Sequence, residues 1–265
     1  MTIQDLLCAV LFGVVEGVTE WLPVSSTGHL LLLGGRIESG WTADFFALFS
    51  VAVQAGALGA VAVRYFGQLL PFSKRGRALW GRILLAVLPA AIVGVLWEDA
   101  AKARFYNPTC IGVMLVALGV VFLLEKRITA RHLSTECTAE TLPLGAVIVI
   151  GLAQTMAAVF PGTSRSGATM LGGMLCGIAR TAAAEFTFLM GVPVMGGATL
   201  LAVSDFARLP TPAEWGILAV GMGVAFAVSL VVMDGLLRFL RRHGLAAFGW
   251  YRILLGTLVL ADNYF

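Results

Sequence analysis

The sequence predicts an all-α integral membrane protein with an inverted-topology repeat, each half a re-entrant helix–loop–helix followed by three transmembrane helices. Three observations carry this reading. The 265 residues are 59% hydrophobic and 12% charged, with a mean hydropathy of +0.91, far from the balance of a soluble domain. The run Gly-Val-Val-Glu-Gly-Val-Thr-Glu-Trp-Leu-Pro-Val-Ser-Ser-Thr-Gly-His from Gly13 returns from Gly151 as Gly-Leu-Ala-Gln-Thr-Met-Ala-Ala-Val-Phe-Pro-Gly-Thr-Ser-Arg-Ser-Gly. Gly13 matches Gly151, Glu16 matches Gln154, Pro23 matches Pro161 and Ser26 matches Ser164 (161 against 23, an offset of 138). Finally, basic residues gather at alternate span ends.

Taken in order, the first segment, roughly 4–35, is apolar but broken by Pro-Val-Ser-Ser-Thr-Gly. Neither side of the break has the ~20 residues needed to cross a bilayer, so it dips in and returns. Spans follow at roughly 43–64, 80–97 and 108–125, which closes a first repeat over 1–140. The second repeat, 141–265, opens with a re-entrant segment at 142–178, broken by Pro-Gly-Thr-Ser-Arg-Ser-Gly. Its spans are roughly 182–203, 213–237 and 245–262, and the two halves form one integrated membrane domain. The segment beginning Asp44-Phe-Phe resembles that beginning Glu185-Phe-Thr, which extends the repeat past the breaks. Three spans per half is odd, so the second half starts on the opposite face and the two breaks approach near the midplane. The N-terminus lacks a basic region and a cleavage motif, so the first helix is expected to be retained.

One face collects Arg64, Lys74, Arg75, Arg77, Arg82, Lys126, Arg127, Arg131, Arg180, Arg238, Arg241 and Arg242, the other only Arg36, Lys102, Arg104 and Arg208. That imbalance makes the first face cytoplasmic, so the first hairpin opens outward. Cys8, Cys110, Cys137 and Cys176 are scattered and suggest neither a disulfide framework nor a zinc site. No nucleic-acid motif is visible.

The chemistry sits at the breaks. Glu16 and Glu20 lie four apart and share a helix face. Two carboxylates in an apolar segment are costly unless paired, protonated or cation-bound, and Mg²⁺ suits such a pair with phosphate oxygens as further ligands. Ser25, Ser26 and Thr27 follow Pro23, and His29 follows Gly28. A hydroxyl beside an imidazole suits a nucleophile and its base, but the same hydroxyls also suit cradling an anion or satisfying freed backbone groups. His132 and His243 sit among loop basic residues and are read as solvated. Arg165, with Thr163, Ser164 and Ser166 around it, calls for an anion: Glu16, Glu20 or a phosphate. A static ion pair pinning the hairpins is the plainer alternative. Gln54 is a secondary binding candidate, Thr169 is read as bonding to its own helix, and Arg252 as pairing or snorkelling.

With these runs in view, the chain resembles, over essentially its whole length, the bacterial undecaprenyl-pyrophosphate phosphatases of the bacitracin-resistance type. The late Ala-Glu-Phe-Thr-Phe-Leu-Met-Gly-Val-Pro segment and Tyr251-Arg252 belong to the likeness. The resemblance implies a multi-pass enzyme of the bacterial inner membrane with its site facing the periplasm. Such enzymes hydrolyse undecaprenyl pyrophosphate to the monophosphate, recycling the carrier for cell-wall synthesis and conferring bacitracin resistance. It places the family's glutamate pair on Glu16 and Glu20, its serines on Ser25 and Ser26, its histidine on His29 and its arginine on Arg165, with a divalent cation, Mg²⁺ or Ca²⁺, as cofactor. One departure stands out: many members carry a glutamate where this chain has Ser50.

The expected chemistry is metal-assisted phosphoryl transfer. Glu16 and Glu20 hold the cation, and Arg165 neutralises charge, aided by Ser25, Thr27, Thr163, Ser164, Ser166 and Gln54. Ser26 is the nucleophile with His29 as base, or a water takes its place. The expected partners are the polyprenyl pyrophosphate and membrane lipids, not nucleic acid, with a homodimer left open. The second reading is a flippase for polyprenyl phosphate lipids, since broken helices in inverted repeats also build carriers.

Overall fold

The computed structural model describes residues 1–37, 39–129, 137–206 and 208–262, with all their side chains except those of residues 98, 99, 102 and 205. Arg131 and His132 lie outside these. Apolar runs fold as helices throughout, and the described residues contain no strand. In the first half these are α1 (Ile3–Thr19), α2 (Ser26–Gly34), α3 (Ala43–Arg64), α4 (Phe66–Leu69), α5 (Lys74–Phe105), α6 (Pro108–Leu123) and α7 (Glu125–Ile128). The second half has α8 (Leu144–Val159), α9 (Arg165–Leu175), α10 (Arg180–Asp205), α11 (Pro212–Arg242) and α12 (Ala246–Asp262). Local chemistry sets the ends. Thr2 with Asp5 and Thr211 with Glu214 form capping boxes at α1 and α11.

Among the described residues four helices are long and apolar enough to cross a membrane: Ala43–Arg64, Lys74–Trp97, Arg180–Ser204 and Pro212–Arg242. The chain is thus an all-helical membrane protein. The other two expected spans are shorter. α6 has 16 residues and α12 has 17, reaching about 25 Å against a hydrocarbon core of about 30 Å. α5 starts six residues before the expected 80 and runs on to Phe105, continuing through Gly76 in its first turn and Pro89 in its interior.

The halves interlock. α1 packs on α11 and α8 on α5, so the helix before each break leans on the second long helix of the other half. α3 packs on α10, and α6 on α12. Glycine sets that last spacing: a Cβ added at Gly256 would lie 2.7 Å from the Gly112 carbonyl oxygen, and one at Gly249 would lie 2.8 Å from that of Gly119. Small residues at such a seam let helix backbones approach where lipid offers no hydrophobic drive. Gly256→Leu is therefore expected to cost about 1–3 kcal/mol and to lower the melting temperature in detergent by roughly 5 °C. Gly223→Leu, on α11 with nothing within 4 Å of its Cβ, is expected to leave it unchanged. Equal melting temperatures for the two variants would contradict the close-packed seam.

Candidate active site

The two breaks have the same backbone device. Ser25 (φ 76°, ψ 90°) and Ser164 (φ 69°, ψ 108°) are the only non-glycine residues with positive φ among the described residues. Each caps the following helix: Gly28 N–H donates to Ser25 Oγ at 3.4 Å and Gly167 N–H to Ser164 Oγ at 3.2 Å. Non-glycine residues avoid this region, and where it persists the surroundings enforce it. The caps pair Ser25, not Ser26, with Ser164, one residue off the register of the prolines. The second break has one more residue between proline and cap, which sets Arg165 at the first helical position, where the first break has Ser26.

These two residues meet at Glu20, the C-cap of α1. Arg165 Nη2 donates to Glu20 Oε1 at 2.7 Å, and Ser26 Oγ donates to Glu20 Oε2. Arg165 also donates to the Thr187 carbonyl at 3.3 Å and to Met195 Sδ at 3.4 Å, both on α10. Ser166 Oγ reaches across to the Leu22 carbonyl at 3.0 Å and lies 3.2 Å from Ser164 Oγ. Glu20 and Arg165 face a cavity of about 140 Å³, several times the ~30 Å³ share of one water. Ser25, Ser26, Thr27 and Gln54 line it from the first half, Ser164, Arg165 and Ser166 from the second.

Three candidates lie outside that lining. Glu16 sits one turn deeper in α1 and is fully buried; neither of its carboxylate oxygens has a hydrogen-bond partner among the described residues. Its repeat counterpart Gln154 is likewise buried with both polar atoms unbonded. Thr163 is fully buried with an unbonded hydroxyl. His29 does not bond to Ser26. Its Nδ1 lies 2.7 Å from the Ser25 carbonyl and its Nε2 2.6 Å from the Tyr251 hydroxyl. A carbonyl only accepts, so Nδ1 carries the proton and Nε2 accepts from Tyr251. Helical geometry gives the reason: the ring nitrogen is taken by the carbonyl four residues back. Of the other candidates, Thr169 does bond to its own helix, at the Arg165 carbonyl, 2.8 Å.

Of the two roles read for Arg252, pairing or snorkelling, the second does not hold: the side chain is fully buried, and its guanidinium donates to three backbone carbonyls. These are Pro23 in the first break (3.2 Å), Gly162 in the second (2.7 Å) and Met114 of α6 (3.2 Å), with the Phe122 ring centroid 5.3 Å from Cζ. Breaks in helices leave carbonyls without donors in a medium that has none. A lone arginine in the last helix was the available signal, but nothing local told which carbonyls it meets.

The carboxylates suit a divalent cation. Among the described residues no three His, Cys, Asp or Glu side chains group as a metal site, yet a buried, unbonded Glu16 next to Glu20 fits an ion that takes one or two carboxylates plus phosphate oxygens.

The chain is similar to known proteins over nearly its whole length. Undecaprenyl-diphosphatase of Desulfitobacterium hafniense is 42% identical, with 98% of this chain and 96% of the relative aligned. Undecaprenyl-diphosphatase 1 of Clostridium acetobutylicum is 42% identical over 97% and 96%, and the Enterococcus faecalis undecaprenyl-diphosphatase 39% identical over 97% and 96%. Nothing in these names supports the carrier reading. The family model described as bacitracin resistance protein BacA matches residues 9–258, and with the breaks, the paired Glu20 and Arg165 and these relatives in hand, the chain belongs to that family.

Proposed function

We propose that the protein hydrolyses undecaprenyl diphosphate to undecaprenyl phosphate and phosphate, returning the lipid carrier to cell-wall synthesis. The observation that carries this is the contact of Ser26 and Arg165, from opposite breaks, with one carboxylate at the wall of a polar cavity. Relatives at about 40% identity bear the name of that activity. In the reaction, Ser26 Oγ attacks the terminal phosphorus while its proton passes to Glu20, and the bond from that phosphorus to the bridging oxygen breaks. The prenyl monophosphate leaves with the bond's electrons. Water then attacks the phosphorus, the bond to Ser26 Oγ breaks, Glu20 returns its proton to Oγ, and the water's proton leaves with the phosphate or to solvent. Arg165, already anchored on Thr187, turns from Glu20 to the phosphoryl oxygens and offsets their charge. His29, tied between the Ser25 carbonyl and Tyr251, holds the strained cap that orients Ser26. This replaces the expected Ser26–His29 pair with a Ser26–Glu20 pair.

Glu16 and Glu20 would hold Mg²⁺ or Ca²⁺, which supplies charge neutralisation to the diphosphate when bound. Chelation is expected to bring phosphate release by the purified protein to background, with recovery on adding Mg²⁺ or Ca²⁺. Mg²⁺ should also raise the melting temperature of the wild type but not of Glu16→Gln. Identical metal-induced shifts in both proteins would remove Glu16 from the cation site.

The matching serine caps and the reciprocal packing of α1 on α11 and α8 on α5 support the inverted repeat. The basic residues at the ends of α3, α6 and α11 and the starts of α5 and α10 support a site opening to the periplasmic face of the inner membrane. Protease or thiol labelling of Cys110, at the start of α6, from the outside of intact cells tests that orientation.

A further inference from the structure

We propose that the apolar groove between α5, α8 and α10 holds the first isoprene units of the substrate's tail. This rests on the hydrolysis of a prenyl diphosphate proposed above. The groove has a volume of about 380 Å³. It meets the polar cavity directly, because Ala157, Arg165, Val194 and Ala198 line both spaces. A diphosphate held at Arg165 therefore has hydrocarbon walls beside it rather than water.

The groove's own chemistry selects its occupant. Beyond Arg165, Gln154 and Tyr106 its wall is mostly small aliphatic side chains and helix backbone. Gly94 of α5 and Gly197 of α10 both line it, and a Cβ added at either would have no atom within 4 Å. Val95, Trp97 and Leu201 at the rim are exposed apolar residues next to or within helices long enough to span the bilayer. The groove thus opens sideways to lipid. A bilayer glycerophospholipid puts two ester groups between phosphate and chains, and past Gln154 and Tyr106 the wall has no polar side chain to meet them. A prenyl diphosphate has hydrocarbon directly after the phosphate, which matches a polar cavity followed at once by an apolar groove.

The test fills the groove and varies the tail. Gly94→Phe and Gly197→Phe are made alongside Gly223→Phe, whose position on α11 has open space and lies away from the groove. Each is assayed with isopentenyl, farnesyl and undecaprenyl diphosphate. With either groove variant, kcat/KM for the two longer substrates is expected to fall about tenfold or more, mainly through KM, the loss that two unburied carbons would bring. Isopentenyl diphosphate, with the least tail to place, is expected to be spared, as is every substrate with Gly223→Phe. An equal loss for all three substrates, no loss for any, or the same tail-dependent loss with Gly223→Phe would overturn the assignment. A wild-type protein inert toward all three would instead fail the functional reading itself.

Discussion

Arg165→Ala is expected to lower turnover of a prenyl diphosphate about 10³-fold or more, the scale of losing a transition-state cation in phosphoryl transfer. The guanidinium is the cation that faces the polar cavity, held there by Glu20 at 2.7 Å and the Thr187 carbonyl at 3.3 Å. Truncation alone mixes two effects, since it also strands a nearly buried Glu20 carboxylate. The double variant Arg165→Met/Glu20→Gln separates them. With charge removed from both sides the fold is expected to recover its stability, while phosphate release stays at background. A double variant that regains both stability and turnover would make the pair a mere pin between hairpins, and the catalytic assignment would fall. Melting curves and single-turnover phosphate release on the same preparations decide between the two.

Arg252→Met is expected to unfold the region around both breaks, lowering the detergent melting temperature by ten degrees or more. The carbonyls of Pro23 and Gly162, both outside helices, would lose their donor, at about 1–3 kcal/mol for each group left unsatisfied, while that of Met114 keeps its bond within α6. With roughly 2–4 °C of melting temperature per kcal/mol in a chain of this size, the shift is large. Arg252→Lys keeps a charge and three donors but not the planar fork that reaches three carbonyls in different elements. It is expected to fold with partial stability and reduced kcat, because Pro23 and Gly162 set where Ser26 and Arg165 start their helices. Wild-type melting for Arg252→Met would show that other groups meet those carbonyls.

Composition and the two broken runs were enough to read a helical membrane protein and to single out Glu16, Glu20 and Arg165, since charge in an apolar segment stands out whatever surrounds it, with Ser26 marked by the hydroxyl cluster beside Pro23. The span starts expected at about 43 and 213 fall within one residue of α3 and α11, where Thr42 and Thr211 cap the helices. The partners were not. Ser26 and His29 are neighbours in the chain, so pairing them looked natural, yet Ser26 turns to Glu20 and His29 to Ser25 and Tyr251. The one-residue difference between the breaks was hidden as well, because matching prolines suggested a register that the caps do not keep.

Local pattern, then, decided which residues belong in a bilayer and which would be expensive there, because solvation cost is a property of a side chain and its immediate neighbours. That Arg165 meets Glu20, and that one buried arginine from the last helix ties both breaks, was decided by interlocked packing of helices 90 to 229 residues apart in the chain. Hydrogen bonds require alignment within a few tenths of an ångström, and only the assembled helices set distances that closely.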